Sequence, residues 1–247
     1  MSRDERTLEA GLTDPAVPRV LVAGELEVLG LLPNASNHTF LARARHGDED
    51  MLAVYKPRQG ETPLWDFPEG TLCAREVATY VVARTVGWPN VPATVLRNGP
   101  YGIGSVQRFV PFDPEEHYFT LGDRFLAEFR RVATFDLVVN NADRKAGHCL
   151  LGQDGRIYVV DHGMCFSQEP KLRTVIWDYA KEPLGEQRSN LEVLSDGLRA
   201  GGSIRDALGE LLTPGEVDAT ATRVDTLLVS GVFPEPEGDR PLPWPLV

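Results

Sequence analysis

Apolar runs in the first 111 residues predict β-strands. These runs are rich in aliphatic and β-branched side chains and occupy residues 19–32, 39–47, 51–57, 91–98 and 103–111. The third run alternates apolar and polar side chains until Pro57 ends it, and the last two flank the tight turn GPYG. Residues 75–87 carry apolar side chains at helical spacing and stop at Gly87. The pattern predicts an antiparallel sheet and one helix.

From Asp123 the apolar spacing becomes helical. Helices are predicted at residues 123–141, 172–181, 186–199, 203–212 and 214–229. Two short apolar runs, CLLG at 149–152 and RIYVV at 156–160, are separated by QDG, whose Asp-Gly pair favours a hairpin turn. The chain is therefore predicted to be α+β, with an N-terminal antiparallel sheet followed by a mainly helical part that contains a short β-hairpin.

The change of pattern falls near residues 111–120 and divides the chain. We expect a lead-in at residues 1–18, an N-terminal lobe at 19–112, a C-terminal lobe at 113–232 and a Pro-rich tail at 233–247. With 247 residues, 42% of them hydrophobic, the chain can bury a core as one large domain or as two lobes that share a cleft.

Charge and cysteine content narrow the classes of function. The formal net charge of −11 argues against a general affinity for nucleic acid or anionic lipid surfaces, because both are polyanions. Three scattered cysteines without a CxxC pair suit neither a disulfide framework nor structural zinc. The first residues are charged where a signal peptide needs an apolar core, and no apolar run reaches the roughly 18 residues of a membrane span. We expect a cytoplasmic protein.

The predicted hairpin brings two polar loops together. A hairpin returns the chain to its starting end, so the loop before it, with Asp143, Arg144, Lys145 and His148, lies beside Asp161 after it. Two carboxylates, a cationic side chain and a further metal-capable ligand suit metal-assisted phosphoryl transfer. Asp143 would take the proton of the attacking hydroxyl or orient it. Asp161 and His148 would hold the divalent ion, and Lys145 or Arg144 would meet the charge on the transferred group.

The spacing matches that of the protein-kinase catalytic loop. There, Asp is followed by Lys at two residues and by Asn at five, and a metal-binding Asp-x-Gly follows a short hairpin. Here Asp143 is followed by Lys145 and His148 at those positions, and Asp161-His162-Gly163 follows the hairpin. His148 is the altered residue. Because imidazole suits transition metals better than magnesium, it favours a shift in preference towards Mn²⁺.

The stretches FDLVVNNADR and VVDHG, with the hairpin between them, resemble the catalytic and metal-binding loops of the phosphatidylinositol 3-/4-kinase-like superfamily. The resemblance is to its type II phosphatidylinositol 4-kinase branch and to a group of actinobacterial kinase-like proteins, and it covers roughly residues 25–180. It implies a two-lobed protein-kinase-like fold, ATP as the phosphate donor, and Mg²⁺ or Mn²⁺.

The same resemblance implies a nucleotide site in the N-terminal half. LAVYKPRQGE resembles the strand that carries the phosphate-binding lysine, which falls on Lys56, and the helix that begins AREVATY offers Glu76 as its acidic partner. SVQRFVP lies where the adenine-contacting hinge is expected, and LLPNASNHTFLA where the phosphate-covering loop is expected. The cofactor-binding residues implied in these two segments are Gln107, Arg108, Phe109 and Val110 in the hinge, and Ser36 and Asn37 in the cover loop.

Alternatives to a kinase remain open from the sequence. His148 and the glycine-poor cover loop also suit a nucleotide-binding pseudokinase or regulatory module, and a related fold can bind ATP reversed and transfer a nucleotidyl group. A metal-dependent phosphohydrolase is a further alternative. The acceptor is unknown. A protein or a small molecule is favoured over an inositol lipid, because the chain is acidic and shows no cysteine-rich lipidation segment or basic membrane patch.

Overall fold

A computed structural model describes residues 15–33 and 37–247. Its N-terminal half holds a five-stranded antiparallel sheet in the order β1-β2-β3-β5-β4 and two helices. The elements are α1 (Arg19–Ala23), β1 (Glu25–Leu31), β2 (Phe40–His46), β3 (Glu49–Pro57), a 3₁₀ turn (Arg58–Gly60), α2 (Leu72–Val86), β4 (Thr94–Gly99) and β5 (Gly102–Arg108).

The rest of the chain is mainly helical. It contains α3 (Tyr118–Leu121), α4 (Leu126–Val139), β6 (Cys149–Leu151), β7 (Ile157–Val159), α5 (Gln187–Leu198), α6 (Ser203–Gly209) and α7 (Pro214–Ser230), with 3₁₀ turns at Gly122–Arg124 and Ala146–His148. Strands β6 and β7 form the predicted hairpin. The prediction of an α+β chain with an N-terminal sheet and a helical C-terminal part is confirmed.

Helix α2 lies between the sheet and the C-terminal helices. It contacts β4 and β5 on one side and α5 and α6 on the other. Twelve of its fifteen residues are buried, including Arg75 and Glu76, so the helix has almost no solvent-facing side. A helix that is packed on nearly every side contacts both halves of the molecule, and its two buried charged residues require partners.

The predicted strand at residues 19–32 is wrong over its first part. Residues Arg19–Ala23 form α1, which buries Val20 and Leu21. Gly24 lies between this helix and β1, and a larger residue does not fit there, because a Cβ would come within 2.3 Å of the Val20 carbonyl oxygen and 2.9 Å of that of Arg45. The chain bends at Gly24, and the strand starts only at Glu25.

The helix predicted at residues 172–181 is also wrong, since this segment is a series of bends and turns. Its amides bind distant carbonyl groups instead of those one turn back: Val175 N–H donates to Arg144 O at 3.1 Å, and Thr174 N–H donates to Pro241 O at 3.1 Å. The part of the segment around Thr174 thus lies extended between the loop after α4 and the Pro-rich tail. Such tertiary partners override the apolar spacing.

The boundary between the predicted lobes falls in the connection from β5 to α3, which spans residues 109–117. That the parts on either side act as separate lobes, with residue limits 112 and 113, stays a prediction. None of the helices in the described part of the chain combines the length and the apolar composition that a membrane crossing requires.

A buried ion pair folds the loop that follows α4. Asp136 lies on the buried face of α4 and is fully enclosed. Arg144, also fully enclosed, donates from Nε to Asp136 Oδ2 at 3.0 Å and from Nη2 to Oδ1 at 3.0 Å. Asn141 Nδ2 and Thr174 Oγ1 donate to the same carboxylate at 3.0 and 3.2 Å. Every strong acceptor position of Asp136 is thus used to hold residues 140–144 and 174 together.

Replacing Asp136 with Asn should destabilise the protein by about 3–5 kcal/mol, because it leaves the Arg144 guanidinium buried without a counter-charge. The matched control is Glu192→Gln, which breaks the exposed ion pair with Arg188, whose side chains are 56% and 51% exposed, and should cost about 1 kcal/mol or less. Urea unfolding measures both free energies. Equal losses in the two variants would contradict the account.

Candidate active site

The loop held by Asp136 presents Asp143 and Lys145 at its surface. Asp143 N–H donates to Asn141 Oδ1 at 3.0 Å, which fixes the backbone of the loop, and Lys145 Nζ lies 2.8 Å from Asp143 Oδ2. Both side chains are about one fifth exposed. Burial raises the pKa of Asp143, although the ammonium of Lys145 opposes the rise. A carboxylate with a raised pKa is a better proton acceptor than an ordinary aspartate.

Arg144 cannot play the role predicted for it. Its guanidinium is fully buried, donates to Val160 O at 3.1 Å and lies 2.7 Å from His162 Nε2, in addition to its bonds with Asp136. It therefore does not reach a transferred group, and that part of the prediction is wrong. Arg144 thus faces the interior, whereas the side chains of Asp143 and Lys145 on either side of it are partly exposed.

Strand β3 and helix α2 bring Lys56 and Glu76 together. Lys56 Nζ donates to Glu76 Oε1 and to Asp161 Oδ1, the latter at 2.9 Å. Burial opposes the charge of Lys56, but Asp161 and Glu76 outweigh it and raise its pKa. The second oxygen of Glu76 accepts from the His162 amide at 3.0 Å. Glu76 thus links the lysine of the sheet to the backbone that follows the hairpin.

The hairpin brings His148 beside Asp161. Val160 N–H donates to His148 O at 3.0 Å, which extends the β6–β7 pairing to the residues next to the site. His148 Nε2 lies 3.4 Å from Asp161 Oδ2. The adjacent Lys56 holds the pKa of Asp161 well below its usual range, so this carboxylate is ionised. Burial lowers the pKa of His148 to about 4, so its imidazole is neutral near pH 7.

Asp161 also has an unusual backbone conformation. Its φ of 59° lies in the left-handed region, which non-glycine residues adopt rarely and which Asp tolerates better than most. Conformations of this kind persist where surrounding bonds hold them and cluster at functional sites. Here the surrounding bonds are the ion pair with Lys56 and the bond from the next amide to Glu76.

The pair formed by Asp161 and His148 fits a small divalent ion. Two donor atoms that are each about 2.1 Å from one ion lie roughly 3.0–3.4 Å apart, which matches the observed separation. The Lys145 amide lies 3.4 Å from His148 Nδ1, so ligation through Nε2 moves the ring proton to Nδ1 and gives up this long contact. No group of three or more His, Cys, Asp or Glu side chains within residues 15–33 and 37–247 is placed to share an ion. Phosphate oxygens and water would complete the coordination.

The predicted hinge consists of the last two residues of β5 and the two residues after it. Gln107 donates from its side chain to Thr94 Oγ1 at 2.8 Å, so that side chain faces β4. The amides of Arg108 and Phe109 donate to Ala93 O and Leu52 O at 2.8 and 2.9 Å. Val110 packs against residues of the hairpin, and its amide has no backbone acceptor among the described residues. A ligand that contacts this hinge through a backbone N–H would therefore meet Val110.

The two cover-loop residues have different outcomes. Ser36 lies outside the residues that the structure describes. Asn37 is described, and its side-chain oxygen accepts from the Thr62 amide at 2.7 Å. That bond connects the end of the loop to the segment between β3 and α2, so the Asn37 oxygen is hydrogen-bonded within the protein.

Sequence reasoning missed the buried residues that hold the site. Asp136 was recognisable, since it interrupts the apolar run FDLVV, and a charge on a buried helix face requires a nearby cation. His162 was given no role, but it is fully buried, its amide binds Glu76 and its ring contacts Arg144. Arg75 and its partner Glu216 are 141 residues apart, and nothing in the local pattern indicates the pair.

Comparisons with known proteins identify the family of this chain. The family model of phosphatidylinositol 3- and 4-kinases matches residues 78–208, more than half of the chain. Protein Rv2133c of Mycobacterium tuberculosis is 41% identical over 92% of this chain and 94% of its own length. Phosphatidylinositol 4-kinase gamma 4 of Oryza sativa subsp. japonica is 29% identical over 63% of this chain, which corresponds to 33% of the plant protein.

A solved structure is similar in fold. The proinflammatory kinase CtkA of Helicobacter pylori superposes with a TM-score of 0.52 over 85% of this chain and 93% of its own, at 12% identity. At that identity the likeness speaks for a kinase-like fold alone. The family match covers α4, the loop after it, the hairpin and Asp161, whereas Lys56 and Glu76 precede the matched range. The chain belongs to the phosphatidylinositol 3- and 4-kinase family.

Proposed function

We propose that this protein is an ATP-dependent phosphotransferase whose acceptor is a protein or a small molecule. The observation that carries the proposal is the meeting of Lys56 from the sheet with Asp161 from the hairpin, at 2.9 Å, with His148 beside Asp161 and Glu76 on the other side of the lysine. These groups come from separate segments and converge on one point. Their charges suit the phosphates and the divalent ion of a nucleotide.

On the nucleotide side, Lys56 and Asp161, which form an ion pair with each other, would each have a partner in ATP bound with its metal ion. The Lys56 ammonium would bind the α- and β-phosphates while Glu76 keeps it in place. Asp161 and the neutral His148 would hold Mg²⁺ or Mn²⁺, and the bound ion would neutralise part of the phosphate charge. Adenine would lie against Val110, whose amide has no backbone acceptor in the described part of the chain.

On the acceptor side, Asp143 would accept the hydroxyl proton as the oxygen attacks the γ-phosphoryl group. Its raised pKa supports this role, because proton transfer is most efficient when acid and base strengths are close. Lys145, 2.8 Å from Asp143, is the cation that would meet the negative charge of the transferred group. It takes the role that Arg144 cannot.

The charges of the chain favour an acceptor other than an inositol lipid. Lys171 lies on the segment that follows Asp161, but its ammonium is 3.0 Å from Asp66 Oδ2, and the two side chains are only 15% and 8% exposed. A lysine that is paired in this way is less available to a phosphate group of an acceptor. Together with the net charge of −11, this favours a protein or a small molecule over an inositol lipid.

Two other functions make different predictions for the products. A pseudokinase would be stabilised by ATP and would move no phosphate, and the direct Lys56–Asp161 contact is compatible with it. A nucleotidyl transferase would attach the adenosine monophosphate group and release pyrophosphate. Incubation with ATP and a fractionated cell extract, followed by mass spectrometry of the modified acceptor, separates a phosphoryl adduct from a nucleotidyl one.

Substitution of the proposed catalytic groups should greatly slow ADP formation. Asp143→Asn should lower kcat by about 10²–10⁴-fold with nucleotide affinity nearly unchanged, since it removes only the proton acceptor. Lys56→Met and Asp161→Asn should weaken ATP binding as well. Coupled ADP assays and calorimetric titration of ATP measure the two effects. The control is Asp154→Asn at the turn of the same hairpin, 47% exposed, which should behave as wild type. Wild-type turnover in Asp143→Asn and Asp161→Asn would refute the role assignment.

The metal preference should depend on His148. Because a neutral imidazole favours Mn²⁺ over Mg²⁺, the ratio of activity with Mn²⁺ to activity with Mg²⁺ should fall several-fold in His148→Asn, which restores an oxygen ligand. His46→Asn at the end of β2 is the matched control and should leave the ratio unchanged. If both variants keep the wild-type ratio, His148 is not a metal ligand.

A further inference from the structure

Helix α2 carries a second buried charge directly before Glu76. Arg75 is 1% exposed and Glu76 is 2% exposed. Glu76 points to Lys56, whereas Arg75 crosses to the C-terminal half of the molecule. Its Nη1 donates to Cys165 O at 2.6 Å, and its Nη2 donates to Glu216 in the first turn of α7.

Both members of this pair have further partners. Arg75 Nε donates to Thr71 Oγ1 at 3.2 Å, so each guanidinium nitrogen is bonded. Glu216 uses its second oxygen to accept from the amide and hydroxyl of Thr213 at 2.8 and 2.9 Å, which caps α7. The start of α7 is therefore a rigid anchor for Arg75, because the capping carboxylate is also the counter-ion.

The anchors of α2 lie on one short segment. Glu76 accepts from the amide of His162, and Arg75 donates to the carbonyl of Cys165. Residues 162–165 directly follow Asp161, so α2 is attached at both ends of the stretch that positions the metal-binding carboxylate. A rotation of α2 that moved Glu76 away from Lys56 would also break the bonds of Arg75. The orientation of the helix and the position of Asp161 are thus coupled.

We propose that Arg75 and Glu216 are positioning residues that hold α2 in the orientation required for the Lys56–Glu76 pair, so that the nucleotide site is assembled before ligand binds. The expected effect on kcat/KM rests on the proposed phosphotransferase function. The effect on the orientation of α2 rests on the geometry alone. Other kinases bring the corresponding lysine–glutamate pair together by moving the helix. Here the buried ion pair makes that movement costly.

A purely structural role of the Arg75–Glu216 pair and a positioning role predict different activities for a variant that lacks the pair but remains folded. Replacing a buried ion pair with apolar residues of similar volume is often neutral for stability, whereas removing one partner leaves an uncompensated charge. Arg75→Met alone leaves the Glu216 carboxylate buried without a counter-charge, so the double variant Arg75→Met/Glu216→Met should unfold in urea at a higher midpoint than Arg75→Met, although loss of the α7 cap keeps it somewhat below wild type. If the pair positions the helix, the stable double variant still has lower kcat/KM for ATP, by on the order of 10- to 100-fold.

The experiment compares urea midpoints, kcat/KM for ATP and hydrogen exchange at the His162 amide, which reports the bond to Glu76 without any need for turnover. The exchange should be at least several-fold faster in the double variant than in wild type. Wild-type kcat/KM together with wild-type exchange in a stably folded double variant would overturn the proposal. If the wild-type protein shows no turnover, the phosphotransferase function fails, but the exchange measurement still decides the role of the pair.

A milder variant covers the case in which the double variant does not fold. Glu216→Gln keeps the shape and some hydrogen-bonding capacity of the side chain, and Asp218→Asn is its control, two residues along α7, in an exposed pair with Arg205. Under conditions where both proteins are folded, Glu216→Gln should show the lower kcat/KM and the faster His162 exchange. Identical values in the two variants would overturn the proposal.

Discussion

The buried carboxylate of Asp136 is the constraint on which the rest of the site depends. A lone charge inside a protein costs several kcal/mol, so the chain after α4 must return a cation to it. Arg144 does so, with Asn141 and Thr174 as further donors. Folding Arg144 inwards leaves the residues on either side of it, Asp143 and Lys145, partly exposed at the surface of the loop. The reactive loop is therefore shaped by an interaction that never touches a substrate.

A second set of buried charges connects this loop to the sheet. Glu76 binds Lys56 and the backbone after Asp161, and Arg75, its neighbour on α2, binds the same segment and α7. The hairpin supplies the remaining connection by placing His148 next to Asp161. Four separate parts of the sequence thus meet at one point, where hydrogen bonds and ion pairs connect them. Such preorganisation suits phosphoryl transfer, in which catalysis is mostly positioning and charge stabilisation.

The sequence predicts the local features of this arrangement and misses the distant ones. The Asp-Gly turn between two apolar runs predicts the hairpin, and the hairpin predicts that His148 and Asp161 meet. Arg144 was misjudged because a sequence does not reveal which of two adjacent cations faces inwards. Residues 172–181 have helical spacing, but the amides of Thr174 and Val175 bind residues far away in the chain. Only the folded molecule reveals the pair of Arg75 and Glu216.

The most direct test of the central claim uses the scarcity of lysine in this chain. The sequence contains only four lysines, Lys56, Lys145, Lys171 and Lys181. An ATP analogue with a reactive acyl phosphate transfers its acyl group to an amine that lies next to the bound phosphates, because proximity raises the effective concentration of the two groups. Mass spectrometry should locate the label on Lys56, with loss of labelling in excess ATP, while the exposed Lys181 shows only slow labelling that ATP does not affect. Labelling of Lys56 that excess ATP leaves unchanged, or ATP-protected labelling at Lys181, would contradict the account.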